Sequence, residues 1–182
     1  MDSDVVKLLL ALFLVVLNGF FVAAEFSIVK VRYSQIQIKA AEGNAMAKQA
    51  EHLIKHLDEY LSATQLGITL ASLALGWVGE SAMHHVIENT LHYFSIALAD
   101  STITTISLVI SFLLITIMHI VFGELIPKSI AIRKSEQTAM LIAMPLRLFY
   151  TVFKPFIWSM NQMYNGFLRL VKIQPARDLE IN

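Results

Sequence analysis

Residues 122–129 read FGELIPKS, placing a carboxylate, a proline and a lysine at the end of an apolar run. The run, Ile103–Phe122, holds no Asp, Glu, Lys or Arg. Charge this close to hydrocarbon is costly and marks a functional position. A helical proline has no N–H to give to the carbonyl four residues back, and its ring presses on that carbonyl. Four before Pro127 is Gly123, so the Gly123 carbonyl loses its helical partner at a residue with no side chain to block approach. Glu124 sets a carboxylate beside it. Paired oxygens of this kind suit Mg²⁺, Ca²⁺ or Na⁺ and argue against zinc or copper. Freed carbonyls of broken helices bind cations in transporters. The plainer alternative pairs Glu124 with Lys128 at i, i+4 to anchor the helix end. Lys128 could also serve both ends, steadying Glu124 whenever no cation is there.

Other polar residues fall inside apolar segments. Asn18 and Glu25 lie seven apart, on one helical face, and Ser27 lies almost opposite Glu25 in a regular helix. Gln65, Thr69, Ser72 and Gly76 form a polar stripe at i, i+4, i+7 and i+11. Roughly opposite run Ala63, Gly67 and Ala71, a ladder of small residues that lets helices approach closely. Each polar residue alone has a bland explanation, a bond to its own i−4 carbonyl or a bridge to a neighbouring helix. Taken together with Glu124 they predict a polar cavity lined by oxygen-bearing groups.

The elements that carry these residues follow from composition. The 182 residues are 56% hydrophobic and 15% charged, against about 25% charged for an ordinary soluble domain. Formal net charge is zero, which gives no support for nucleic-acid binding, and cysteine is absent. The start MDSDVVKLLLALFL carries Asp2 and Asp4 where a signal peptide is basic, so the first apolar segment is expected to be retained. His84, His85, His92 and His119 match no zinc-binding spacing, and His119 is expected only to bond a neighbouring helix. No G-x-S-x-G elbow and no Walker-type loop occurs, so no enzymatic activity is expected.

Uncharged runs at Leu8–Ala24, Leu61–Val78 and Ile103–Phe122 predict three membrane spans, about residues 5–29, 61–80 and 102–124. Beyond them Arg147, Lys154 and Arg169 interrupt the pattern, and Pro145 and Pro155 punctuate it. Five Lys or Arg fall between Lys30 and Tyr60, none between Gly79 and Thr102, and eight from Pro127 onward. This bias puts the first linker and the C-terminal part in the cytoplasm and the N-terminus outside. A fourth span would carry Arg169, Lys172 and Arg177 outside. Residues 136–172 are therefore expected as juxtamembrane or partly re-entrant helices on the cytosolic side, with a conventional fourth span as the alternative. Residues 34–58 are expected to form polar-faced helical structure on the same side. The fold class is an all-α integral membrane protein, with residues 1–182 as one transmembrane domain.

FFVAAEFSIVKVR (20–32), ATQLGITLASLALGWVGE (63–80), FGELIPKSIAIRK (122–134) and PLRLFYTVFKPFIW (145–158) resemble the transmembrane domain of the CorC/CNNM family. The match runs over nearly the whole chain, and GELIPK is its most specific part. The resemblance implies a homodimeric exporter of Mg²⁺ in the inner or plasma membrane, with Na⁺ as coupling ion. It also implies a dehydrated Mg²⁺ held by Ser72, Gly123 and Glu124, with Glu25 and Ser27 added from AAEFS. Asn18, Gln65, Thr69, Pro127 and Lys128 would support them. Full-length members carry paired CBS domains that bind ATP and regulate, and these fall outside the 182 residues. A membrane Mg²⁺ sensor with the same ligands, or a dimerisation module built on the Ala63/Gly67/Ala71 ladder, are the competing expectations.

Overall fold

The structure, a computed structural model, describes residues 2–93 and 100–171. Lys172 and Arg177 of the sequence reading lie outside the described residues, as do the side chains of Asp2, Asp4 and His92. Among the described residues all regular structure is helical. The helices are α1 (Asp2–Lys30), α2 (Tyr33–Ala41), α3 (Ala45–Lys55), α4 (Leu57–Tyr93), α5 (Asp100–Met118), α6 (Ile126–Arg133) and α7 (Ser135–Leu170). Between α5 and α6, His119–Leu125 winds as a π-helix. The chain is an all-α membrane protein.

Among the described residues, four stretches are long and apolar enough to cross a bilayer: Val5–Lys30, Leu57–Leu91, Ser101–Arg133 and Ser135–Leu170. The sequence reading counted three and broke up the fourth. The difference lies in α7, which runs through Pro145 and Pro155 without interruption. Each proline removes a single backbone bond, and packing along the helix can offset that loss. Ala139, Ile142, Ala143, Leu146 and Ile157 supply the packing as a buried stripe with helical spacing.

The stretch expected as polar-faced helix over 34–58 is two helices. Gly43 adopts φ 94°, left-handed backbone that ends α2 and that a side chain would strain. Asn44 then caps α3, its Oδ1 accepting from the N–H groups of Met46 (3.0 Å) and Ala47 (3.1 Å).

The chain divides into two compact units. The first comprises Met1–Ala23 and Gly67–Ile130. Its apolar core joins Ala11, Leu14 and Val15 of α1 to Leu75 of α4, with Val78 and Ile115 packed against them. Gly67 and Gly19 set two of its close approaches. A Cβ on Gly67 would stand 2.4 Å from the Phe21 ring, and one on Gly19 would stand 2.8 Å from Cγ of Pro127. Gly19 thus lets α1 lie against the proline end of the π-turn.

The second unit comprises Ala24–Leu66 and Ala131–Asn182. Here α3 packs on α2 and on α7. Tyr60, buried, sets its ring 4.9 Å from that of Tyr150. Lys39 pairs with Glu136, Arg147 donates to Gln49, and Tyr150 donates to Glu59.

Candidate functional site

The π-turn shapes the first unit's polar centre. In an α-helix, residues five apart point about 140° away from each other. A π-turn bonds i to i+5 instead, and here Ile126 N–H reaches the Val121 carbonyl. His119 and Glu124, five apart, therefore share a face, with His119 Nε2 3.8 Å from Glu124 Oε1. Pro127 follows in the first turn of α6, where it has no N–H to offer.

The Gly123 carbonyl takes its hydrogen bond from a side chain. Asn18 of α1 donates from Nδ2 to Gly123 O at 3.0 Å, in a buried setting. The other end of the same amide is used as well, because Ser72 of α4 donates from Oγ to Asn18 Oδ1 at 3.2 Å. Ser72 Oγ also lies 3.3 Å from His119 Nε2. Four side chains and one carbonyl form an unbroken series, Gly123–Asn18–Ser72–His119–Glu124. Asn18 is fully buried, whereas the Glu124 side chain is 48% exposed, so the series runs from the interior to an accessible carboxylate.

Glycine at 123 is required by the crowding around it. A Cβ there would lie 2.9 Å from Cδ2 of His119 and 3.2 Å from Nδ2 of Asn18. The imidazole and the amide both rest where a side chain would begin.

The structure thus brings together Asn18, Ser72, Gly123 and Glu124 of the expected residues. Glu25 and Ser27 belong to the second unit. There Gln65 Nε2 donates to Glu25 Oε1 at 2.9 Å, and the buried Ser27 donates to the Ala24 carbonyl at 3.0 Å. Asn18 and Glu25, read from the sequence as one helical face, have separate partners. The expected polar stripe of α4 has Gln65, Thr69 and Gly76 exposed and Ser72 half-buried, while Ala63, Gly67 and Ala71 opposite are buried. Lys128 is exposed on α6.

His119 enlarges the expected set. It does bond a neighbouring helix, and in addition it links the hydroxyl to the carboxylate. The signal available in the sequence was its place five residues before a glutamate, just ahead of a proline-interrupted turn. Among the described residues no group of three or more His, Asp or Glu side chains is placed to hold a metal ion. A cation bound at this centre would draw on carbonyl, hydroxyl and one carboxylate, ligands that suit hard ions.

A sequence model of the family described as Cyclin M transmembrane N-terminal domain matches residues 9–181. The chain is 42% identical over 176 residues to UPF0053 protein YrkA of Bacillus subtilis, a match covering 97% of this chain and 40% of that protein. It is 45% identical over 178 residues to UPF0053 protein YhdT of the same organism, covering 97% and 38%. A Haemophilus influenzae relative named Polyamine export protein is 28% identical over 179 residues, covering 98% and 41%. The chain spans less than half the length of each of these relatives.

Proposed function

The chain belongs to the cyclin M transmembrane domain family, and from that premise we propose that it carries Mg²⁺ out of the cytosol in exchange for Na⁺. The observation that carries this reading is the polar series ending at Glu124. A buried carbonyl and a carboxylate on the π-turn, with a hydroxyl on α4, are the donors a small hard cation needs. In this reading Ser72 Oγ, the Gly123 carbonyl and Glu124 bind the ion. Asn18 orients the first two, and Pro127 keeps the backbone open. Ser72 bound to a cation must still place its own proton, and Asn18 Oδ1 is positioned to accept it.

The relative named Polyamine export protein points to cationic cargo as a class. A polyamine is long and carries several separated charges, whereas this centre offers a single carboxylate within a tight set of neutral oxygens. That compactness favours a single divalent ion. Homodimer formation, regulation by CBS domains of a longer protein, residence in the plasma or inner membrane, and a cytoplasmic C-terminus complete the proposal.

Purified protein in liposomes tests it. Glu124→Ala and Ser72→Ala should each abolish Na⁺-dependent Mg²⁺ efflux while the variants elute as folded protein. Normal efflux in both would remove the site. Mg²⁺ binding without flux in the wild type would favour the sensor reading. Glu25→Ala and Ser27→Ala test whether those two residues join the ligands: loss of efflux in a folded variant would add the residue, and unchanged efflux would leave the set at Ser72, Gly123 and Glu124.

A further inference from the structure

His119 has no part in the ligand set proposed above, yet it touches two of its members. Counting protons shows how. Asn18 uses Nδ2 to donate to Gly123, so its Oδ1 faces Ser72 and can only accept. Ser72 has one hydroxyl proton and gives it to that oxygen. The contact between Ser72 Oγ and His119 Nε2 therefore needs its proton on the ring nitrogen. The imidazole is the Nε2–H tautomer and donates to Ser72 at 3.3 Å, with Glu124 Oε1 3.8 Å from the same nitrogen. The N–H dipole faces Ser72 Oγ, and Glu124 Oε1 lies near the same nitrogen, so the ring sits beside both oxygens that a shared cation would use.

We propose that His119 is a positioning residue that competes with the cation for Ser72 and Glu124, and that its ring turns away when both oxygens bind the ion. The inference rests on the cation site proposed above and adds the step that opens it. Three features support the competition. The π-turn puts His119 beside Glu124, which an α-helical register would not do. Gly123 leaves the ring a seat that a Cβ would fill. The side chain is 22% exposed, so one edge of the ring is open to movement. A ligand and a competitor differ in sign: deleting a ligand weakens binding, while deleting a competitor strengthens it.

The experiment measures Mg²⁺ affinity of the purified full chain by calorimetry. His119→Leu, which keeps bulk but has no N–H, should bind Mg²⁺ about threefold to tenfold tighter than wild type, the change expected for losing one competing hydrogen bond. His119→Gln, whose amide N–H can re-enter the same space, should stay close to wild type. Unchanged or weaker binding in folded His119→Leu overturns the inference. Because that variant could fail to fold, the wild type supplies an independent readout with Mn²⁺ as probe. Pulsed EPR of the Mn²⁺ that Mg²⁺ displaces should show no coupling to a directly bonded histidine nitrogen. A coupling that changes on ¹⁵N-histidine labelling would make His119 a ligand and overturn the proposal. Absence of any Mg²⁺ binding in the wild type would instead overturn the underlying cation site.

Discussion

In the unit that carries the π-turn, a few polar groups form one continuous series from buried Asn18 to half-exposed Glu124. In the unit built from α2, α3 and α7, polar contacts such as Lys39 with Glu136, Glu51 with Lys55 and Tyr33, Arg147 with Gln49, and Tyr150 with Glu59 are short and local. Most of these pairs lie at exposed positions, where water replaces a lost partner. The series has no such substitute at its buried end. A buried carbonyl or amide deprived of its partner costs the full desolvation of that group, about 1–3 kcal/mol. Dependence on a single partner thus separates the two regions, and it predicts where substitutions will matter.

The comparison breaks most sharply at Asn18. Asn18→Leu removes both the donor to Gly123 and the acceptor for Ser72, and should lower Mg²⁺ efflux by about 10–100-fold, the range for groups that orient metal ligands. Efflux at the wild-type rate would show that the series does not set function. Gly123→Ala comes next. Its Cβ would collide with the His119 ring and crowd the Asn18 amide, which should destabilise the protein by about 1–3 kcal/mol. A thermal melt indistinguishable from wild type would mean that the crowding relaxes without cost.

In the second unit the expected effects are small. Lys39→Ala should cost less than about 1 kcal/mol and leave efflux unchanged, and raising the salt concentration should shrink even that. A larger loss would place this ion pair with the series rather than among the local contacts. The smallest effect concerns pH. Burial, followed by the charges of His56 and Arg147, pushes His52 below its ordinary value of 6.5. The fold therefore favours the neutral ring. Its stabilising contribution is complete above about pH 6.5 and is lost as pH falls through the lower folded value. The protein should melt at a lower temperature at pH 5 than at pH 7.5, and His52→Phe should reduce that difference. An unchanged difference would assign the pH dependence to other groups.

What could be read from the sequence follows the range of the interactions. Uncharged runs marked α1, α4 and α5 because spanning length and lack of charge are local properties. The fourth long helix was obscured by Pro145, Pro155 and Arg147, which look like interruptions until the buried stripe beneath them is known. In the sequence, Pro127 drew attention to the Gly123 carbonyl. Its partner Asn18 lies 105 positions away, and no pattern in the chain announces that pairing. The π register was invisible too, because its residues are ordinary helix residues and the extra one per turn carries no compositional mark. That register places His119 beside Glu124, which is why a histidine read as a plain helix contact proves central to the site's geometry.

The central claim is that the series ending at Glu124 binds a cation in transit. Its most direct test is Na⁺-gradient-driven Mg²⁺ efflux from liposomes containing the purified chain, wild type beside Glu124→Ala. Efflux in the wild type that requires Na⁺ and vanishes in folded Glu124→Ala is the predicted result. Equal efflux from both proteins, or none from a wild type that is folded and inserted, would contradict it.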